Sequence, residues 1–279
     1  MVAMGSAHRI MAPGPKALRI LDEVQPKVTD TDRSRPKRKA RYSEEMILDC
    51  LAVMESGDIE DLFEIIPRIR VLRDARFKKP LLAMLAHKDV RRREFAAYAI
   101  GALRDRSLLD PLKKEFAEAR QLKGQGAREL QIAIVDAIGT IGDDAAVDFF
   151  LSALRSCGGG KGSAAGKAAG KSAGRLSQWI IESLGVLAQQ GGKRSLKALV
   201  ELMDHDDAEI RAMAVSELSV SYWHRPNEVA DATIQKIYNL TSASETVVAE
   251  SALSALQNLA DVGCRRAEEF FEASDLTAD

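Results

Sequence analysis

Cysteine, aromatic residues and long apolar runs are all scarce in this chain. Its 279 residues include three cysteines, Cys50, Cys157 and Cys264, far apart and odd in number. That argues against a disulfide framework and for a reducing compartment, so a cytoplasmic localisation is expected. No apolar stretch reaches the ~18 residues of a membrane span, so none is expected. The opening MVAMGSAHRIMAPGPK lacks the apolar core of a secretory signal. The four histidines, His8, His87, His205 and His224, are scattered, and no two sit at the i, i+4 spacing of a helical metal site. No metal and no cofactor are therefore expected. Aromatic residues make up only 5% of the chain, so its core must come from Ala, Leu, Ile and Val.

An excess of charge of either sign is also missing, since the net charge is −1. The balance is a cancellation. Residues 1–42 carry ten basic and four acidic side chains, with the run Arg33, Arg35, Lys37, Arg38, Lys39 and Arg41 at their end. Four prolines interrupt that segment, and it holds little apolar surface to offset chain entropy. It reads as a disordered basic tail. A second basic stretch, Arg155 to Arg175, has five basic residues and no acid, and its Gly, Ser and Ala content predicts a flexible loop over 156–175. What remains has 25 basic and 37 acidic residues, an acidic body carrying basic appendages.

That body repeats. Ala96, Ile134, Ile180, Ala214 and Ala252 form one column, with spacings of 38, 46, 34 and 38 residues. Four residues on stand Ile100, Ile138, Leu184, Leu218 and Leu256, followed by Gly101, Gly139, Gly185, Ser219 and Gln257. A second set of apolar faces alternates with these, such as Leu109, Leu112 and Phe116. Spacings of three and four are helical, and no alternating strand pattern is present. Ser107, Asp143 and Asp207 precede apolar-periodic runs and are expected to start helices. Small residues in the columns allow helix backbones to approach closely.

The strings REFAAYAIGALRD and IRAMAVSELS carry a resemblance: residues 76–260 resemble HEAT repeats, in particular bacterial HEAT-like repeats related to phycobilin lyases. The resemblance implies an all-α, right-handed α-solenoid of about five helix pairs. Residues 43–75 are expected as an N-terminal helical hairpin, with helices near Ser43–Glu55 and Ile59–Leu72. Residues 76–279 form the repeats, closed by a cap helix over Cys264–Ala273. In the family, an Arg follows the first core position of the second helix and ladders with turn aspartates. Here that column reads Arg93, Gln131, Ser177, Arg211 and Ala249, so any ladder is broken.

No catalytic residue can be assigned. Gly170, Lys171 and Ser172 match the end of a phosphate-binding loop, but Ala165 stands where its first glycine is required and no strand precedes it. His205–Asp207 reads as a capping turn, and the cysteines lie near no histidine in sequence. The expected function is a non-catalytic protein-protein interaction scaffold using the concave face lined by the second helices. In register, that face presents Glu94 and Tyr98, Ile132 and Asp136, Gln178 and Glu182, Ala212 and Ser216, and Glu250 and Ser254. The candidate contacts are Glu94, Tyr98, Asp136, Gln178, Glu182, Ser216 and Glu250. This mostly acidic stripe suits a protein partner with a basic or amphipathic segment, for which the basic tail would compete.

Two alternatives stand beside this. DNA-repair glycosylases built from HEAT-like repeats use a basic groove, and ten Lys or Arg fall between Arg68 and Arg93. Residues 176–279 oppose that reading, with eight basic and 17 acidic side chains, where a duplex groove is basic along its length. Nucleic acid is thus the second-ranked partner. A bilin lyase-like or lyase-subunit role rests on the family resemblance alone.

Overall fold

The computed structural model describes residues 35–157 and 164–275, with side chains over 43–156 and 174–271. All regular structure among the described residues is helical, and no strand occurs among them. The chain divides into two units, Met1–Glu44 and Glu45–Asp279. The described part of the first, 35–44, is helical. The second holds the repeats.

The helices are α1 (Arg35–Ser56), α2 (Ile59–Glu64), α3 (Ile66–Leu72), α4 (Lys78–Leu85), α5 (Val90–Leu103), α6 (Leu109–Ala119) and α7 (Gln125–Ile141). They continue as α8 (Val147–Cys157), α9 (Ala164–Gln189), α10 (Lys193–Leu202), α11 (Ala208–Ser221), α12 (Asp231–Leu240), α13 (Thr246–Asp261) and α14 (Arg265–Asp275). Their packing follows chain order. Helices α5, α7, α9, α11 and α13 form a row in which each packs on the next. Helices α4, α6, α8, α10 and α12 each pack on the helix that comes after them, while α2 and α3 cover α5, and α14 packs on α13.

The repeat columns explain this row. All five members of the Ala96 column and all five of the Ile100 column are buried. The glycine column then sets the distance between neighbours. A Cβ on Gly101 would stand 2.8 Å from the Ala137 Cα, and one on Gly139 would stand 2.9 Å from the Ser183 Cβ. At Gly185 the space is filled instead by the Glu217 side chain. Each glycine therefore meets the residue two positions before its counterpart on the next helix of the row.

Several helix and turn starts use aspartate. Asp89 and Asp207 cap α5 and α11 by accepting from the Arg91 and Glu209 N–H groups, both at 2.9 Å. Asp143 caps the short 3-10 turn Asp144–Ala146 that leads into α8. Ser107 is not the helix start expected. It lies inside the turn Arg106–Leu108, and its N–H donates to Asp105, which caps the turn. A carboxylate meets the positive end of the peptide dipoles better than a hydroxyl does. His87 and His205 repeat one another: each Nδ1 accepts the N–H of the aspartate two residues on, at 3.0 Å.

Three boundaries differ from expectation. The helix expected over Ile59–Leu72 is two helices, broken at Ile65, because Pro67 cannot donate to the Phe63 carbonyl. The basic tail expected over 1–42 falls largely outside the described residues, but α1 begins at Arg35. The loop expected over 156–175 falls partly outside them too, but α9 begins at Ala164. Ala, Lys, Arg and Glu are strong helix formers, so a packed helix can extend back through such sequence.

The Arg93 column holds the fold together without a ladder to turn aspartates. Arg93 on α5 pairs with Glu115 on α6, with Nε to Oε1 at 2.6 Å. Arg211 donates to the carbonyls of His205 and Asp206 and pairs with Glu245 at 2.7 Å. Gln131 donates to the Ala119 carbonyl at 3.2 Å. The aspartates of the turns are occupied as caps.

Candidate functional site

The sequence-predicted contacts fall on α5, α7, α9, α11 and α13, and the structure sorts them by exposure. Glu94, expected to project openly, is only 6% exposed. Its carboxylate accepts from Arg91 at 2.7 Å, and the Arg91 guanidinium lies 5.3 Å over the Phe63 ring. The reason is that α2 packs across α5 and closes that part of the face. Ile132 and Ala212 are also buried, so the first residue of each outward pair is closed on α5, α7 and α11.

The second residues stay more open. Tyr98 on α5 and Asp136 on α7 are half-buried and line one cavity together with Arg70 of α3. Tyr98 meets Phe63 edge-on, with ring centroids 6.3 Å apart. Burial, followed by the nearby charges of Asp136, Glu94 and Glu129, pushes its phenol up to about 12, so it keeps its proton at neutral pH. Burial likewise raises the Asp136 carboxyl above its usual range, against the pull of Arg70 and with a further push from Glu182.

On α9, Gln178 is exposed, and its amide donates to the half-buried Glu182 at 2.8 Å. Ser216 of α11 is exposed, but its hydroxyl donates back to the Ala212 carbonyl at 3.1 Å. Glu250 of α13 is exposed. The structure thus brings Tyr98 together with Asp136, and Gln178 with Glu182, while Ser216 and Glu250 stand apart from both pairs, on α11 and α13. Arg33 lies outside the described residues, as do the side chains of Arg35, Lys37, Arg38, Lys39 and Arg41.

One residue escapes a reading of the sequence. Glu217 of α11 lays its carboxylate into the space left by Gly185 of α9. Desolvation there, with Glu182 adding repulsion, pushes its carboxyl up to about 7. The signal is present in the repeat register, because Ala137 and Ser183 occupy the same position opposite Gly101 and Gly139. Only Glu217 places a titratable group there. Asp136 on α7 and Glu217 on α11 each feel the carboxylate of Glu182 on α9, which lies between their helices in the row.

A pH dependence of stability results. The folded state holds the Glu217 proton more tightly than the unfolded chain, whose carboxyl titrates near 4.5. The stability linked to that proton is complete below the unfolded value and is lost as pH rises through about 7. Glu217→Gln should therefore raise stability by about 2–3 kcal/mol at alkaline pH and leave it unchanged in acid. Urea unfolding of both proteins across the pH range measures the difference, and a constant offset at every pH would contradict it.

Beside the carboxylates runs an apolar edge. Val186 and Val220 stand four residues beyond Glu182 and Ser216, and Trp223 comes one turn later, at exposures of 40%, 42% and 48%. Among the described residues no helix is long and apolar enough to cross a membrane, and no three His, Cys, Asp or Glu side chains gather as a metal-holding group.

No protein-family profile matches the chain, and no curated protein does. Among solved structures it is similar to the crystal structure of an engineered protein, at 18% identity over 77% of this chain and 96% of that one, with a TM-score of 0.38.

Proposed function

We propose that the chain is a HEAT-like, right-handed α-solenoid that works as a non-catalytic protein-binding scaffold. Its α7–α11 face takes a basic, amphipathic segment of a partner protein. The observation that carries this reading is the pairing of two rows on that face. Asp136, Glu182 and Glu217 supply an acidic row with no ion pair to a cation among the described residues, and Val186, Val220 and Trp223 supply an exposed apolar row. A helix with cations on one flank and apolar residues on the other matches both rows at once. Repeat stacking suits such a role, since successive helices extend one continuous surface.

The test is fluorescence anisotropy with a labelled amphipathic Lys/Leu helix peptide at low salt, using the full chain. Trp223→Ala should weaken binding by about tenfold or more, as removal of an aromatic anchor does. Glu182→Gln should weaken it about 3–10-fold, and added salt should erase that difference. Equal affinity for a Glu/Leu peptide of the same length would sink the reading, and so would salt-sensitive binding of duplex DNA in preference to either peptide.

A further inference from the structure

A cavity of about 270 Å³ lies where α2 and α3 meet α5 and α7, and apart from Asp136 its lining takes no part in the docking face. Its walls are of two kinds. Phe63 and Ile66 give an apolar side, while Arg70, Tyr98, Asp136 and Thr140 give a polar one. The volume is below the roughly 300 Å³ at which drug-sized pockets begin, so it suits a ligand of about amino-acid size.

The polar side holds opposite charges, an exposed Arg70 and a half-buried Asp136, that attract one another without touching. Arg70 and Asp136 both line the cavity, yet they form no ion pair within 4.0 Å. Neither side chain has a hydrogen bond to another group among the described residues. Asp136 is half-buried, so its carboxylate has lost much of its water without gaining a donor. Tyr98 and Thr140 line the same cavity, and the hydroxyl of each can donate and accept. Gly101, itself part of the lining, lets α5 approach Ala137 of α7, and the two helices thereby bring Tyr98 and Asp136 to one cavity.

A ligand with one charge would satisfy only half of this. A cation would meet Asp136 but face Arg70, and an anion would do the reverse. A zwitterion answers both with charge-assisted hydrogen bonds. We propose that this cavity binds a small zwitterion of the α-amino-acid class, with its ammonium on Asp136, its carboxylate on Arg70 and an apolar side chain against Phe63 and Ile66. The site shares Asp136 with the acidic row of the docking face, but its other contacts, Arg70, Phe63 and Ile66, lie outside that row.

Calorimetric titration of the full chain tests it with L-leucine and L-phenylalanine as probes. Each is run beside its amide, which keeps only the positive charge, and its N-acetyl derivative, which keeps only the negative one. β-Alanine and γ-aminobutyrate test wider charge separations. Saturable binding of an α-amino acid is expected, at least about tenfold tighter than either of its one-charge derivatives. Arg70→Gln should abolish the preference over the amide, and Asp136→Asn the preference over the N-acetyl derivative. Each variant thus fails against a different control, which general unfolding would not produce. Preference for a wider zwitterion moves the ligand out of the α-amino-acid class and overturns that assignment. Absence of saturation by every probe up to about 10 mM, or equal affinity for the one-charge derivatives, overturns the site itself. Loss of peptide docking with intact amino-acid binding would count against the docking face alone.

Discussion

Replacing Arg93 by alanine is expected to lower the stability of the chain by about 3–5 kcal/mol at neutral to alkaline pH. Arg93 and Glu115 join α5 to α6 with side-chain exposures of only 12% and 6%. Removing the guanidinium leaves a carboxylate in a place water hardly reaches. Burial already raises the Glu115 carboxyl above its usual range even with Arg93 pulling it down. Without Arg93 it rises further, so the variant can escape part of the cost by binding a proton. A raised folded pKa means stability that is complete in acid and lost as pH climbs through the folded value. The loss measured by urea unfolding should accordingly shrink as pH falls toward the range where Glu115 is neutral. Arg93→Ala combined with Glu115→Leu should recover much of the loss, because an apolar pair replaces the buried ions without leaving one unpaired. A pH-independent loss, unrelieved by the second substitution, would show that Arg93 acts through its packing alone.

The second large effect comes from a single methyl group. In an open helix, Gly→Ala stabilises by about 1 kcal/mol. At Gly101 the sign should reverse, with a loss on the order of 3 kcal/mol, because the new Cβ would sit 2.8 Å from the Ala137 backbone. Backbone cannot rotate away as a side-chain tip can. Helices α5 and α7 would have to separate, pulling Ile100 and Ile138 out of contact range and forfeiting dispersion along the row. Gly126, near the start of α7, is the control. There the added Cβ would meet only Val90, with Cγ1 at 3.5 Å, an ordinary contact, and Gly126→Ala should gain about 0.5 kcal/mol. Melting the two variants side by side decides the matter, since equal signs would mean the glycine column does not set helix spacing.

Much of this architecture was legible in the sequence. The Ala96 and Ile100 columns mark core positions because the period of 3.6 residues returns every third or fourth side chain to one face. The same register aligns Tyr98, Asp136 and Glu182 on successive helices of the row, where all three are half-buried. The break at Ile65 was legible too, in Pro67, but the strong apolar pattern over 59–72 hid it. Asp105 was a better cap than Ser107 by charge, and nothing but its position two residues earlier obscured that. The fate of Glu94 was not legible. Its neighbours in sequence say only that it points outward, whereas its burial depends on Phe63, which lies some thirty positions away.

The sequence by itself determined that the regular structure of the described residues is helical, the phase of those helices and the small residues that let them touch. Those properties are local, since hydrogen bonds from i to i+4 and side-chain volume decide them within a few residues. Only the tertiary structure decided which carboxylates keep their water. Glu94 is answered by Arg91 beneath α2, Glu217 is desolvated over Gly185, and Asp136 faces Arg70 across a cavity. Desolvation and the field of a neighbouring charge depend on atoms brought together from distant repeats. Three glutamates and an aspartate at nearby register positions thus end as a paired ion, a carboxyl raised toward neutrality, a half-buried carboxyl facing Arg70 without an ion pair and, at Glu250, an exposed surface group.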